Sequence, residues 1–476
     1  MQPVPDPRRW WALALLATAQ FLVIMDTSII GVALPDIQAD LAFSPSDLSW
    51  VFNAYVISFG GLLLLGGKLA DLYGARRIFA IGFAGLTASS LLAGVAESTG
   101  VEIAARGLQG ASAALIAPTS LSMLFALFGA NPKELTRALA VYGAAAPAGG
   151  TAGVFLGGVL TEWLDWPWVF FVNIPVGVIV LASMRTLLPE TPRQRGRLDL
   201  AGAVLATVAL SSLVYGIVRA PEEGWGSSAT VVPVVVGFGL GAVFVLLQGI
   251  GRDPLLPLPI FRTPNLAAAN VVMALLGAAW VPMWYFLNLY VQQVLGYGPF
   301  KAGSALLPMT GLMMVLMVFV TERLVSRRGI RPVLAIGMAA LTGGLGVLVF
   351  IRPDGNFFVD VLVGSLIAAV GMSFAYIPAM LAAMSEAKPE QAGLASGIVN
   401  TSYQVGSALG LGAMTAVATS NGADQFGDLT ALTDGFSAAF LGAAGIAVLG
   451  LLATATLRRS GPAAEIPKEF DQVLVD

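Results

Sequence analysis

Apolar runs of about 20 residues, the length an α-helix needs to cross a bilayer, recur along the whole chain between short polar connectors. Because unpaired backbone groups are costly in lipid, such runs fold as helices. Of the 476 residues, 57% are hydrophobic and 11% are charged, so little sequence is left for a soluble domain. The pattern predicts an all-α, polytopic membrane protein with fourteen transmembrane helices.

The basic residues predict how these helices are oriented. If the N-terminus lies inside, only Arg219, Lys301 and Arg352 fall in external loops, and Arg106 lies within a span. The positive-inside rule then places both termini in the cytoplasm and the protein in a bacterial cytoplasmic (inner) membrane. The remaining Lys and Arg are scattered and form no stripe with aromatic residues, so the lipid bilayer is an expected partner and nucleic acid is not.

The chain contains no His and no Cys. This composition excludes imidazole bases, thiol nucleophiles and nearly every soft-metal site, so we expect no metal and no cofactor. An intramembrane enzyme would present a metal cluster, a Ser/His pair or a carboxylate dyad, and a sensor would carry a soluble output domain. Neither pattern is visible, and any proton chemistry must depend on carboxylates. The sequence therefore favours a secondary transporter over an enzyme or a sensor.

Asp26 lies deep in the first apolar run, residues 10–34. At ~1.5 Å per residue it is about 24 Å from the start of that helix. An ionised carboxylate at such a depth is costly unless a partner or water compensates it, which makes it a functional-site hypothesis. Arg106 enters the fourth span (102–128) from the opposite side and reaches a similar depth. We expect the two charges to pair, either as a switch that protonation of Asp26 opens or as a permanent structural salt bridge.

A weak internal repeat relates the two halves of the chain at an offset of 255 residues. The segment LADLYGARR (69–77) aligns with LVSRRGIRP (324–332), which pairs Gly74 with Gly329. Two related halves are typical of secondary transporters, with the substrate site near the middle of the membrane. The predicted units are an N-terminal six-helix bundle (1–190), two inserted helices (191–255), a C-terminal six-helix bundle (256–460) and a cytoplasmic tail (461–476).

Four segments resemble motifs of the major facilitator superfamily. GKLADLYGARR (67–77) looks like its loop between helices 2 and 3, and RGLQG (106–110) resembles its helix-4 motif. MDTSIIGVALP (25–35) and LDWPWVFFVNIPVG (164–177) are similar to segments of the fourteen-helix drug/proton antiporter branch, which includes quaternary-ammonium and multidrug exporters. The resemblance covers essentially the whole chain. It implies alternating access powered by the proton gradient.

The same resemblance assigns roles to individual residues. Asp26 takes the proton-coupling role and Arg106 the proton-relay role. The 67–77 loop forms a conformational latch on the inner face, in which we expect Asp71 to contact the start of helix 13 near Gln391. The other latch residues are Gly67, Gly74, Arg76 and Arg77.

Predicted helix 5 (135–160) is similar to the motif that marks exporters in this superfamily. Its glycines recur at four-residue spacing, which lets a neighbouring helix approach closely, although plain helix packing would account for them too. The family's Gly-Pro pair is replaced by Gly153-Val154. The motif favours export over import. Its candidate residues are Pro147, Gly149, Gly153, Gly157 and Gly158.

Asp26 is expected to be the only deep carboxylate, since Glu322, Glu386 and Asp360 lie at helix ends. A lipophilic monocation or a neutral compound then fits better than a dication, and the proton stoichiometry should be low. A mostly apolar cavity with aromatic faces would tolerate varied substrates. The candidate lining residues are Gln20, Asn53, Tyr55, Gln109, Trp280, Trp284, Asn288, Tyr376, Asn400, Tyr403 and Gln404.

Together these features predict a proton-coupled antiporter that exports lipophilic small molecules, including drugs. A dedicated exporter of one endogenous metabolite would share the same coupling residues and stays open as an alternative. The expected partners are this small-molecule substrate, protons and the bilayer. We expect a monomer.

Overall fold

The structure is a computed structural model that describes residues 8–128, 132–190, 199–251, 254–262, 265–384, 392–425 and 427–457. Within these ranges the chain forms helices joined by turns, without a β-strand. The long helices, numbered in chain order, are α1 (Arg9–Asp40), α2 (Trp50–Tyr73), α3 (Ala75–Gly94), α4 (Thr99–Phe128), α5 (Pro132–Trp163), α6 (Asn173–Leu187), α7 (Leu200–Glu223), α8 (Ser228–Ile250), α9 (Leu266–Leu289), α10 (Pro299–Val315), α11 (Ile330–Leu348), α12 (Val363–Met384), α13 (Ala392–Ala418) and α14 (Leu429–Ala453).

Shorter helical segments extend or join these helices. The one-turn helix Trp168–Phe171 precedes α6. Wider π-type turns extend α9 (Tyr290–Val294), α10 (Leu316–Val320, followed by Thr321–Arg328) and α13 (Thr419–Ala423), and another (Phe357–Leu362) leads into α12. The remaining short helices are Pro45–Leu48, Leu258–Arg262 and Thr454–Thr456.

Thirteen helices among the described residues are long and apolar enough to cross a membrane. This confirms the predicted all-α, multi-pass membrane architecture. The helix outside that set is α13, which is 27 residues long but carries the polar sequence NTSYQ at residues 400–404. Its length and its packing against α2, α9 and α14 make it the fourteenth long helix of the bundle.

The two loops that the repeat aligns have the same backbone conformation at their glycines. Gly74 joins α2 to α3 with φ 94°, and Gly329 precedes α11 with φ 83°. Only glycine adopts such angles without strain, so the sequence repeat corresponds to a repeated turn. The division into two six-helix bundles with residues 191–255 as an insert stays a prediction.

Helix α5 packs closely against α1 through its glycines. Gly149, Gly153 and Gly157 all face the backbone of α1, where an added Cβ would lie between 2.4 and 2.8 Å from a carbonyl oxygen. Gly158 faces α10 instead, and its Cβ would lie 2.7 Å from the carbonyl oxygen of Pro299. The close approach that the spacing predicted therefore occurs along α1, the helix that carries Asp26. The same α5 also contacts the second half of the chain.

The first six and the last six helices contact each other on the side of the membrane where α1 ends, which we call the far side. The Gln293 side-chain amide donates to Gln38 Oε1 at 3.1 Å, and the Phe300 ring stacks on Trp163 with centroids 5.4 Å apart. Farther along α5 and α10, an added Cβ on Gly143 or Gly311 would meet no atom within 4 Å among the described residues. The two halves are thus packed together on the far side.

Candidate functional site

Asp26 and Arg106 form an ion pair inside the N-terminal helices. Arg106 Nη1 lies 2.9 Å from Asp26 Oδ2, and both side chains are fully buried. Asp26 lies in the middle of α1, and Arg106 lies two turns after the start of α4. A buried ion pair is favourable only if its remaining donors and acceptors are also hydrogen-bonded. The structure therefore brings together the two charges that the sequence predicted to meet, while their role in coupling stays a prediction.

A network of uncharged side chains completes the coordination of Asp26. Asn173 Nδ2 donates to Asp26 Oδ1 at 2.7 Å, and Gln109 Nε2 donates to the same oxygen at 3.3 Å. Both amides also donate to Ser90 Oγ, at 3.2 and 2.9 Å. Gln109 Oε1 accepts from Arg106 Nη1 at 2.8 Å. Both oxygens of the Asp26 carboxylate therefore accept hydrogen bonds from side chains of α4 and α6.

Arg106 is held by two further kinds of contact. Its Nε donates to the carbonyl oxygen of Val51 at 2.9 Å, which connects it to α2. The guanidinium lies over the Tyr55 ring at 4.7 Å and the Phe170 ring at 5.9 Å. A cation over an aromatic face is attracted by the ring quadrupole, and more strongly where water is excluded. The cluster thus joins α1, α2, α3, α4 and α6 around one buried cation.

Two residues predicted to line a substrate cavity contact this cluster. Tyr55 and Gln109 are buried, and the Tyr55 hydroxyl donates to the carbonyl oxygen of Val23 at 3.2 Å. Sequence reasoning did not single out Asn173 or Ser90. Asn173 gave a signal, because it is an amide within the apolar segment WVFFVNIPVG. Ser90 gave none, since a serine in an apolar helix usually bonds its own backbone.

Glu102 is another buried carboxylate in the N-terminal helices, which the sequence analysis did not single out. Its side chain is fully buried, and neither carboxylate oxygen has a hydrogen-bond partner among the described residues. The sequence analysis began the fourth span at residue 102. Instead α4 begins at Thr99, and Glu102 lies one turn before Arg106 on the same buried face.

The loop at residues 67–77, which is predicted to act as a latch, contacts the chain just after α6. Arg76 Nη1 donates to the carbonyl oxygen of Leu188 at 3.2 Å, and its other terminal nitrogen forms an ion pair with Glu190. Asp71 is exposed at the end of α2, and Arg77 is exposed as well. The expected partner of Asp71 near Gln391 lies outside the described residues. Gly67 faces α4, where an added Cβ would lie 3.8 Å from Pro118.

Several predicted cavity residues are partly exposed between the helices and form two hydrogen-bonded groups. In the first half of the chain, the Tyr142 hydroxyl donates to Gln20 Oε1 at 2.9 Å. In the second half, the Tyr376 hydroxyl donates to Asn400 Oδ1 at 3.0 Å, and the Tyr376 ring meets the Tyr403 ring edge-on at 5.5 Å. All five side chains combine a polar group with partial exposure, as a site for amphipathic molecules requires.

The other predicted cavity residues lie at helix contacts or in the interior. The Trp284 ring packs against Gly31 and lies 5.9 Å from the Phe52 ring across the two halves. Gln404 packs against Gly60 of α2, so it also bridges the halves. Trp280, Asn53 and Asn288 are buried.

Comparison with known proteins agrees with the helical architecture described above. The sequence model of the Major Facilitator Superfamily matches residues 16–411. The cephamycin export protein CmcT of Amycolatopsis lactamdurans is 39% identical over 459 residues, covering 95% of this chain and 94% of that protein. The puromycin resistance protein pur8 of Streptomyces alboniger is 37% identical over 461 residues, covering 95% of this chain and 91% of that protein.

Solved structures show the same fold at low sequence identity. The POT family transporter PepTSo superposes with a TM-score of 0.69 at 16% identity, covering 94% of this chain and 97% of that one. The nucleoside transporter NupG superposes with a TM-score of 0.67 at 14% identity, covering 94% and 99%. From the family match, the relatives and the shared helical architecture, the chain belongs to the major facilitator superfamily and is a membrane transporter rather than an enzyme.

Proposed function

We propose that this protein is a proton-coupled antiporter that exports lipophilic small molecules across the bacterial cytoplasmic membrane. The observation that carries the proposal is the fully buried pair of Asp26 and Arg106, because a titratable group sealed inside a transporter is a natural coupling site. Two similar proteins bear names that refer to antibiotic export or resistance, which supports the direction and class of transport. With no His or Cys in the chain, the proton is expected to bind a carboxylate, and Asp26 is the buried carboxylate that pairs with Arg106.

The contacts of Asp26 indicate how its protonation would change the surrounding cluster. Ionised Asp26 accepts hydrogen bonds from Arg106, Asn173 and Gln109. Protonation removes the negative charge that compensates Arg106, so an unpaired cation is left in the interior and the cluster must rearrange. The proton gradient would supply the free energy for that rearrangement, and no cofactor is required.

Helix α5 connects this cluster to the other half of the transporter. Gly153 faces the carbonyl oxygen of Met25, the residue next to Asp26, and Gly158 faces Pro299 of α10. A shift of α1 therefore displaces α5 directly, because the glycine at this contact has no side chain between the two backbones. We infer that substrate enters from the cytoplasm or inner leaflet while Asp26 is ionised. Proton entry from outside then accompanies substrate release.

The partly exposed polar and aromatic groups favour a neutral or monocationic substrate. Tyr376 and Tyr403 present ring faces and hydroxyls, and Gln20 adds an amide, but none of these residues carries a charge. Aromatic faces attract organic cations, and apolar walls accept neutral compounds. A dedicated exporter of one endogenous metabolite stays the second candidate, because one similar protein is named for export of a single antibiotic class.

Reconstitution into liposomes tests both the class and the coupling. Ethidium serves as a lipophilic monocation, and puromycin serves as an amphipathic antibiotic. We expect uptake that requires an acidic lumen and stops when a proton ionophore is added. Uptake that ignores the gradient would exclude proton coupling. A response to only one compound of a wider panel would favour the dedicated exporter.

A further inference from the structure

A second buried acid lies beside the ion pair, on the same helix as its cation. Glu102 precedes Arg106 by four residues in α4, which places the two Cβ atoms about 6 Å apart on one face. The Glu102 side chain is fully buried, and its two carboxylate oxygens have no hydrogen-bond partner within the described part of the chain. An ionised carboxylate in such a place would lack all compensation, so the group is stable there as the neutral acid.

Arg106 has one donor left over on its terminal nitrogens. Its Nε and Nη1 are occupied by Val51, Asp26 and Gln109, whereas Nη2 is buried without a partner among the described residues. The unpaired donor and the unpaired carboxylate thus belong to neighbouring turns of one helix. The two residues lie on one face of α4, so a turn of the Arg106 side chain toward Glu102 would bring these groups together.

The surroundings of Glu102 contain few other charges. The charged groups that act on it are Arg106 on its own helix and Asp26 on α1. From α2, Tyr55 faces the same guanidinium, and α3 and α6 contribute the uncharged Ser90 and Asn173 to the cluster. Burial disfavours a charge on Glu102, and Arg106 is the cation that would compensate one.

We propose that Glu102 is a second proton-binding carboxylate, which holds a proton while Arg106 pairs with Asp26 and takes over the guanidinium when Asp26 is protonated. This inference rests on the proposed coupling function and adds a relay partner to it. In the first arrangement Glu102 is neutral and Asp26 is ionised. In the second, Asp26 is neutral and Glu102 is ionised.

Both arrangements hold one proton and have zero net charge across the two acids and Arg106. The proton that leaves a Glu102 oxygen passes to an Asp26 oxygen, and the guanidinium moves the other way. Neither arrangement therefore leaves an unpaired charge in the buried cluster. Glu102 lies near the far-side end of α4 and Asp26 lies in the middle of α1, so the pair defines a path from the far side inward.

Infrared absorption of protonated carboxylic acids tests the exchange without any transport measurement. In purified protein at neutral pH, we expect a buried acid band that Glu102→Gln removes and Glu97→Gln retains, since Glu97 is exposed only five residues away. Glu102→Asp should keep a shifted band, which separates loss of the acid from loss of the fold. Persistence of the wild-type band in Glu102→Gln would overturn the proposal.

The variant Asp26→Asn gives the sharper result. If Arg106 turns to Glu102 when Asp26 is neutral, then Glu102 ionises and its band disappears from this variant although the residue is intact. A static buried acid would keep its band, and that outcome would overturn the exchange.

Uptake of ethidium into liposomes separates this proposal from the proposed function. If Asp26→Asn still transports with the gradient, the coupling role of Asp26 fails. If gradient-driven uptake is lost in Asp26→Asn while the Glu102 band persists there, only the role of Glu102 fails.

Discussion

Asn173 Nδ2 lies 2.7 Å from Asp26 Oδ1, so the first turn of α6 donates directly to the buried carboxylate on α1. This contact explains why an amide occurs in the apolar segment where α6 begins. It also predicts a measurable effect on stability, because loss of the donor leaves the buried carboxylate less well compensated.

Asn173→Ala should lower the thermal stability of the protein. Without the Asn173 donor, Asp26 loses one hydrogen bond to a charged group, which costs about 1.5–3 kcal/mol. The measurement is thermal unfolding in detergent. Asn421→Ala is the control, since Asn421 is exposed and donates only to its own helix at Val417. An unfolding curve that coincides with wild type would contradict this role.

Arg106→Ala should destabilise the protein strongly. Removing one partner of a buried ion pair leaves Asp26 uncompensated, at a cost of about 3–5 kcal/mol. Arg106→Lys keeps the charge, but a single ammonium cannot bond Val51, Asp26 and Gln109 in the same planar geometry. We expect thermal unfolding in detergent to rank wild type above Lys and Lys above Ala. Equal stability of all three would show that the pair contributes nothing to the fold.

Arg77→Lys is the matched control for the arginine series. Arg77 is exposed at the start of α3, so this exchange should leave the unfolding temperature within experimental error.

Gly153→Ala should impair both stability and transport. A Cβ at this position would lie 2.8 Å from the carbonyl oxygen of Met25, so α1 and α5 must separate. Overpacking of this kind costs about 1–3 kcal/mol. Gly143→Ala lies on the same helix and meets no described atom within 4 Å, so it should be neutral or slightly stabilising. Thermal unfolding and ethidium uptake, compared between the two variants, check the prediction; an equal effect of both would refute the specific contact with α1.

A reversible bifunctional methanethiosulfonate cross-linker between Gln38→Cys and Gln293→Cys should lock the far side closed. The two side-chain amides meet at 3.1 Å across the halves, and the chain has no native cysteine to interfere. We expect the cross-linker to stop transport and a reducing agent to restore it, with the two single-cysteine variants retaining transport. Full transport by the cross-linked protein would mean that the far side need not open.

The apolar runs allowed the fold to be predicted from the sequence. A helix of about 20 residues is the simplest way to satisfy every backbone group in lipid, so length and hydropathy suffice to locate most spans. The weakest span is α13, because its polar residues at 400–404 lower its hydropathy. The turns at Gly74 and Gly329 could also be predicted, because a tight turn with a positive φ favours glycine and each repeat has a glycine at that position.

Only part of the buried cluster around Asp26 could be predicted from the sequence. Asp26 and Arg106 stand out because a charge in an apolar run must find compensation. The shell around them depends on which face of each helix points inward, and sequence position alone did not reveal this for Ser90 or Asn173. Glu102 was not singled out for the same reason: it lies in the first turn of α4, and its burial depends on how the neighbouring helices pack around it.

The central claim is that Asp26 exchanges a proton as the transporter works. The most direct test is to record proton movement and ethidium uptake together in liposomes containing wild type, Asp26→Asn or Asp424→Asn, where Asp424 is an exposed aspartate. The account predicts that wild type and Asp424→Asn move protons against ethidium, whereas correctly folded Asp26→Asn moves no protons and shows no gradient-driven uptake. Proton movement coupled to ethidium uptake in Asp26→Asn at the wild-type rate would contradict it.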